Sequence, residues 1–299
     1  MRVFLTGGTG YIGSAVLDAL VRAGHHVDAL VRNREKAADV QVRGAHPVLG
    51  DIARPDTYAA AAGAAEGAIH AAMDDSSRGP GLDRVALDTL LALPQRPGRF
   101  FVYTSGVWVL GPAPAPVDES APLNPIEKSA WRAPHEERVL AAAGPDLRTV
   151  VVRPGIVYGG CRGIVGDLFK AAANGLVRVI GNGENHWPLV YDRDLGELYV
   201  VLSTSPTASG VFHANDECDE RVNELVAAIA GHVSIRPSIR KVPLPEARKK
   251  MGAYAEALAL DQIVRCPRAR ALGWTPSLHA VSRNAARLFE EWRRGREAA

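Results

Sequence analysis

Three glycines at intervals of three, Gly7, Gly10 and Gly13, sit in the run Thr6-Gly7-Gly8-Thr9-Gly10-Tyr11-Ile12-Gly13. Before it stands Val3-Phe4-Leu5, a short apolar run that reads as a strand buried on both faces. After it Ala15, Val16, Leu17, Leu20 and Val21 recur at helical spacing up to Gly24, a helix stop. In a strand that turns into a helix through GxxGxxG, one glycine makes the sharp turn. A second lets the backbone approach a diphosphate, and the third lets the helix pack on the strand. The helix N-terminus then offers free N–H groups and the positive end of its dipole to an anion. Such a spacing is weak evidence alone. Here it stands between the strand and the helix that the geometry requires. Thr6 to Ser14 therefore predicts a dinucleotide site, with Gly7, Thr9, Gly10, Tyr11, Ile12 and Gly13 lining it.

The same alternation continues. Val27–Val31, Pro47–Leu49, Ala68–Met73, Phe100–Thr104 and Val150–Arg153 read as strands. Residues 36–42, 57–65, 82–93 and 129–143 read as the helices between them, with a proline-rich loop over 111–125. Strands alternating with helices predict an α/β fold, a Rossmann-type doubly wound parallel sheet. Later in the chain, helices over 167–174, 194–203 and 222–231 and short strands at 177–180 and 211–214 lack strict alternation. We expect residues 1–155, with roughly 185–215, to form the dinucleotide-binding domain. Residues 156–184 and 216–299 should form a smaller C-terminal lobe on the substrate side.

The end of the second strand bears on the choice of cofactor. An acid there would bond a ribose 2′-hydroxyl, but the chain reads Leu30-Val31-Arg32-Asn33-Arg34. Arg32 can offer a guanidinium fork to a 2′-phosphate, and Arg34 adds charge. NADP(H) is therefore expected over NAD(H), which stays possible. Asp51, after the third strand, is placed to bond the adenine amino group while Ile52 packs on the ring. Asp51 also suits a cap for the helix that follows.

Composition removes other classes. Thirty-five basic residues against 33 acidic give a net charge of +2, too even for a nucleic-acid surface. No apolar stretch nears the roughly 20 residues that span a bilayer. The start MRVFLTGG does not read as a secretory signal, because its short apolar run leads into glycines. Cys161, Cys218 and Cys266 are far apart in sequence, with no CxxC pair, so neither a zinc site nor a disulfide framework is expected. A reduced, cytoplasmic setting fits this pattern, as does a monomer or homodimer acting on a small molecule.

TGGTGYIGS at 6–14, Gly50-Asp51, RPGIVYG at 153–159 and LGWTP at 272–276 together resemble the extended short-chain dehydrogenase/reductase family. The similarity runs over nearly the whole chain, in the right order. It implies a Rossmann domain with a C-terminal substrate lobe. It also implies that Ala71, Ala72 and Met73 flank the cofactor and that Pro154 and Ile156 lie near the nicotinamide. The family's reactions are NAD(P)-dependent epimerisation, dehydration or carbonyl reduction. Its active site needs a tyrosine and a lysine as YxxxK on a helix, and the expected region here has none. Alignment on Glu137 and Leu140 puts Ser129 and Ala133 in those places; a shift by one gives Lys128 and Arg132. The family's Ser/Thr position is Gly106. The chain thus looks like an atypical member of the group.

Other residues must then carry the chemistry. Thr104 and Ser105 end the fifth strand, where open α/β sheets place ligands, and Thr104 can reach either nicotinamide or substrate. Tyr158, past the sixth strand, could donate a proton from the other side. Trp108 and the pair His186-Trp187 are the substrate-side candidates, and His135 reads as a solvated helix residue. The leading reading is an NADP-dependent oxidoreductase of a small carbonyl, hydroxyl or imine compound. A redox-neutral isomerase or cyclase, a sugar-nucleotide epimerase, and an NADP-sensing regulator without turnover remain alternatives. Calorimetric titration should show tighter binding of NADP(H) than of NAD(H). Arg32→Ala should weaken NADP binding by about 1.5–3 kcal/mol, the worth of a hydrogen bond to a charged group. Equal affinities in the unaltered protein would contradict the assignment of Arg32.

Overall fold

Pleating sorts the apolar residues of each strand onto two faces, and helices cover both. In the computed structural model, which describes residues 1–233 and 236–297, seven parallel strands form the central sheet. They are β1 (Arg2–Thr6), β2 (His26–Val31), β3 (His46–Leu49), β4 (Gly67–His70), β5 (Phe100–Thr104), β6 (Arg148–Pro154) and β7 (Gly210–Ala214). Their spatial order is β7-β6-β5-β4-β1-β2-β3. The helices between them are α1 (Tyr11–Arg22), α2 (Arg34–Val42), α3 (Ala59–Ala64), α4 (Gly79–Leu91) and α5 (Arg132–Ala141). Val3 and Leu5 of β1, Val102 of β5 and Val150 and Val152 of β6 share one core with Val16, Leu17 and Leu20 of α1. Phe4, Phe101, Tyr103 and Val151, one residue out of phase, face the opposite core with Leu87 and Leu90 of α4 and Val139 of α5. The period of two decides which helix each residue meets.

The short strand expected at 211–214 is the seventh member of the sheet. Val211 pairs with Val151 and Phe212 with Val152, so β7 closes the edge beside β6. β7 follows α6 (Gly163–Ala173) and α7 (Asp192–Thr204). The second of these packs on α1 so tightly that a Cβ on Gly196 would stand 2.6 Å from the Ala15 carbonyl oxygen. Leu176–Ile180, expected above as a strand over 177–180, pairs in parallel with Ser238–Val242 outside the central sheet. A separate core, with Tyr158, Phe169, Val179, Trp187, Leu225 and Trp292, fills the C-terminal part. No helix of the described residues is long and apolar enough to cross a membrane.

Strand order reverses at β1, where β2 lies on one side and β4 on the other. In such sheets ligands bind in the crevice at the carboxyl ends of the strands flanking the reversal. Thr6 and His70 are register partners there.

A buried ion pair sets how α5 meets this edge. Glu136 is 1% exposed and accepts from Arg153 of β6, at 2.6 and 3.0 Å on Oε2 and 3.2 Å on Oε1. The Ser105 hydroxyl, also buried, donates to the same carboxylate. Glu137, its neighbour in sequence, is exposed. Removing one partner of a buried pair leaves the other charge unpaired. In denaturant titration Glu136→Ala should lose about 3–5 kcal/mol of stability, while Glu137→Ala should stay within about 0.5 kcal/mol. Similar losses for both would contradict this packing.

Candidate active site

The glycine loop is closed where the fold needs it and open where a ligand would lie. Gly7 has φ +79°, and a Cβ on it would stand 2.5 Å from the Ala72 nitrogen. A Cβ on Gly13 would stand 2.0 Å from the Gly7 carbonyl oxygen. Those two glycines hold the loop against β4 and the helix against the loop. A Cβ on Gly10 would meet only the Gly7 carbonyl oxygen, at 3.1 Å, among the described residues. Gly10 precedes α1 with ordinary extended geometry, and no side chain caps the helix among the described residues. The first turn, Tyr11-Ile12-Gly13, holds no acid. These N–H groups with free space before them fit a diphosphate.

Thr9 is half-buried in the loop and Ile12 packs against the first core. Tyr11 turns away, donating its hydroxyl to the Gly159 carbonyl oxygen at 2.8 Å. It therefore ties α1 to the lobe. Arg32 and Arg34 are exposed on either side of Asn33, whose side chain accepts from the Lys36 N–H and caps α2. The Asp51 carboxylate accepts from the Ala53 N–H at 2.9 Å, and Ile52 packs against the second core. Ala71, Ala72 and Met73 leave β4 as irregular chain, and Met73 is 60% exposed. Pro154 ends β6, and Ile156 begins a short parallel pairing with Leu189.

The four chemically reactive candidates separate. Thr104 ends β5, half-buried, with its hydroxyl 2.6 Å from that of Tyr199. Ser105 spends its proton on Glu136 inside the protein. Tyr158 lies wholly within the lobe core and donates to the Leu278 carbonyl oxygen at 3.2 Å. Burial, with Asp216, Asp194 and Glu220 nearby, raises its pKa far above the ordinary phenol range. His186 places both its backbone N–H and Nδ1 on Asp261 at 2.8 Å. Trp187 is buried beside it and donates Nε1 to the Leu258 carbonyl oxygen at 3.1 Å. Trp108 sits in the short turn Val107–Leu110, just beyond Ser105.

Sequence reasoning passed over Arg132. With Glu136, the buried acid, taken in place of the exposed Glu137, the same count puts Lys128 and Arg132 where Ser129 and Ala133 stood above. Arg132 Nη1 donates to the Thr104 carbonyl oxygen at 2.9 Å, and Nη2 to Met73 Sδ at 3.0 Å. The guanidinium thus stretches between the ends of β4 and β5. Lys128 lies 3.7 Å from Asp75 in the loop after β4.

A buried polar chain supports the same ends. The Ala72 N–H donates to Thr6 Oγ1 at 3.3 Å, and Thr6 meets His70 Nδ1 at 2.7 Å. His70 Nε2 lies 3.1 Å from Asp83 Oδ1. With the Thr6 hydroxyl donating to Nδ1, Nε2–H donates to the carboxylate and every partner is satisfied. Asp83 also accepts from the Tyr103 hydroxyl at 2.9 Å and meets His135 Nδ1 at 2.7 Å. Burial alone would raise its pKa; the hydrogen bonds from His135 and His70 outweigh that and hold it well below the usual range. His135 is thus not the solvated residue that helix position alone suggested, since Asp83 draws it inward.

Gly10→Val should abolish binding of NADPH in calorimetry. Its backbone angles suit any residue, so stability should change by no more than about 1 kcal/mol. Binding at unaltered strength would show that the loop is not the diphosphate site.

Comparison with known proteins agrees with this geometry. The NAD dependent epimerase/dehydratase family matches residues 3–214. An uncharacterised protein of Schizosaccharomyces pombe is 30% identical over 291 residues, 93% of this chain and 95% of that protein. The 2-alkyl-3-oxoalkanoate reductase of Stenotrophomonas maltophilia is 28% identical over 281 residues, 86% of this chain and 83% of its own length. The structure of human epimerase family protein SDR39U1 with NADPH has a TM-score of 0.77 at 22% identity, over 97% of this chain and 99% of that one; that likeness is one of fold. With the match extending from β1 to β7, the chain belongs to the NAD dependent epimerase/dehydratase family.

Proposed function

We propose that the protein is an NADP-dependent reductase of a small carbonyl compound. The observation that carries this reading is the placement, at the end of β5, of the half-buried Thr104 hydroxyl, held by Tyr199, and of the Arg132 guanidinium on Thr104's own carbonyl. A bound nicotinamide supplies two electrons as hydride to the carbonyl carbon. Gly7, Gly10 and Gly13 with the start of α1 would hold the diphosphate. Arg32 and Arg34 would favour a 2′-phosphate, Asp51 and Ile52 would meet the adenine, and Ala71 to Met73 with Pro154 and Ile156 would flank the rest. The named activity of the Stenotrophomonas relative supports carbonyl reduction, and the NADPH of the human protein supports the phosphate-bearing cofactor.

The chain's own groups divide the remaining work. Negative charge grows on the substrate oxygen as the carbonyl is reduced. Arg132 stabilises it and stays charged, since an arginine does not release a proton in a protein. Burial raises the Tyr199 pKa, so its hydroxyl remains protonated; either hydroxyl of the Thr104–Tyr199 pair can donate, and this reading takes Tyr199 as the donor. That leaves the Thr104 hydrogen to face the substrate oxygen, with solvent restoring the proton after transfer.

With a carbonyl panel and NADPH consumption as the readout, Thr104→Val should lower kcat by roughly 100-fold, as loss of a proton donor does. Arg132→Met should lower it by about 100-fold to 1,000-fold, the effect of removing one oxyanion partner. Tyr158→Phe should keep near-full activity. Near-full activity in both Thr104→Val and Arg132→Met would overturn the assignment. NADPH binding with no turnover on any carbonyl would favour the regulator.

A further inference from the structure

We infer that this site takes a carbonyl compound with an apolar tail, and that the tail lies in a cleft of the C-terminal lobe. The inference rests on the reductase reading above and adds the class of substrate. The cleft holds about 210 Å³ between α6, the strand Leu176–Ile180 and the helix Tyr254–Ala259. Its walls include Leu168, Val179, Trp187, Tyr254 and Leu258. The charged residues that line it, Asp167 and Arg178, are both exposed.

Of the polar atoms on the aromatic walls, the indole nitrogen is taken up within the protein and the phenol stays neutral. Trp187 Nε1 is spent on the Leu258 carbonyl oxygen at 3.1 Å. Burial, with Asp167 and Asp75 adding, pushes the Tyr254 hydroxyl up to about 12, so this wall carries no charge near neutral pH. A sugar diphosphate needs several convergent donors. The cleft offers one exposed guanidinium, whereas apolar side chains make most of its surface.

One contact joins the cleft wall to the turn beyond the strand ends. Tyr254 meets Trp108 edge-on, with ring centroids 6.3 Å apart. Trp108 stands on the turn that follows Thr104 and Ser105 directly. In the loop after β4, Asp75 lies 3.7 Å from Lys128. On this inference a substrate whose carbonyl meets Thr104 and Arg132 would run its chain past Trp108 and Tyr254 into the cleft.

The test uses methyl ketones from butanone to decanone with the full chain. The kcat/KM for NADPH oxidation should rise about fourfold per added methylene until the cleft is full, the factor for burying one methylene. Calorimetric affinity for the same ketones should rise in parallel. Ala171→Phe, which fills the cleft from the α6 wall, should flatten both slopes. Ala171→Leu, a milder plug, should reduce them and serves if the phenylalanine variant does not fold. If no ketone is reduced but affinity still climbs with chain length and Ala171→Phe removes the climb, the reductase reading fails and the cleft assignment stands. Affinity independent of chain length, or a slope that neither Ala171 variant lowers, overturns the inference.

Discussion

The ion pair between Glu136 and Arg153 decides what α5 presents to the ligand crevice. Two opposite charges taken out of water are held only when geometry and further hydrogen bonds satisfy them. Here Arg153 bonds both carboxylate oxygens, and the Ser105 hydroxyl adds a third donor. These partners sit on β5 and β6, so the helix has one register in which its buried acid meets them. In that register Arg132, one turn earlier, reaches the end of β5. A rotation by one residue would bring Ala133 there and bury Glu137 in place of Glu136.

Beneath the crevice the chain Thr6–His70–Asp83–His135 links β1, β4, α4 and α5. It starts one residue before Gly7, and its first hydroxyl accepts the N–H of Ala72. The glycine loop, the exit of β4 and the helix carrying Arg132 are thereby parts of one hydrogen-bonded body. A half-satisfied network would be worse than an apolar core. This one gives Asp83 three donors and keeps it charged. The result is a rigid frame at the switch point, with the charge of Arg132 supported from below by a buried carboxylate.

The sheet was legible because its signals are local. Val3-Phe4-Leu5 before the glycines, the helical spacing of Val16, Leu17 and Leu20, and the valine-rich β6 each follow from a period read within a few residues. β7 was harder, since Val211–Ala214 comes after a stretch without regular alternation and only its pairing with Val151 and Val152 places it in the sheet. In the candidate site, the glycine turn was legible, since close backbone approach requires Gly7 and Gly13. The chemistry was less so. Glu136 and Glu137 are adjacent acids, and sequence does not say which is buried; alignment on the exposed one hid Arg132. Ser105 and Tyr158 carry the right hydroxyls, but their partners, Glu136 and the Leu278 carbonyl, come from distant parts of the chain. His135 looked solvated because Asp83, far away in sequence, is what draws it in.

On the reductase reading, Arg132 and Thr104 face the reacting end of a dinucleotide seated on the glycine loop. A crystal structure of the protein with NADPH tests it most directly. The diphosphate should lie at the N–H groups of α1 beside Gly10, with the nicotinamide at the end of β5 and the Arg132 guanidinium and Thr104 hydroxyl bordering its reactive face. A nicotinamide bordered instead by Tyr158 or His186, with Arg132 turned away, would contradict it.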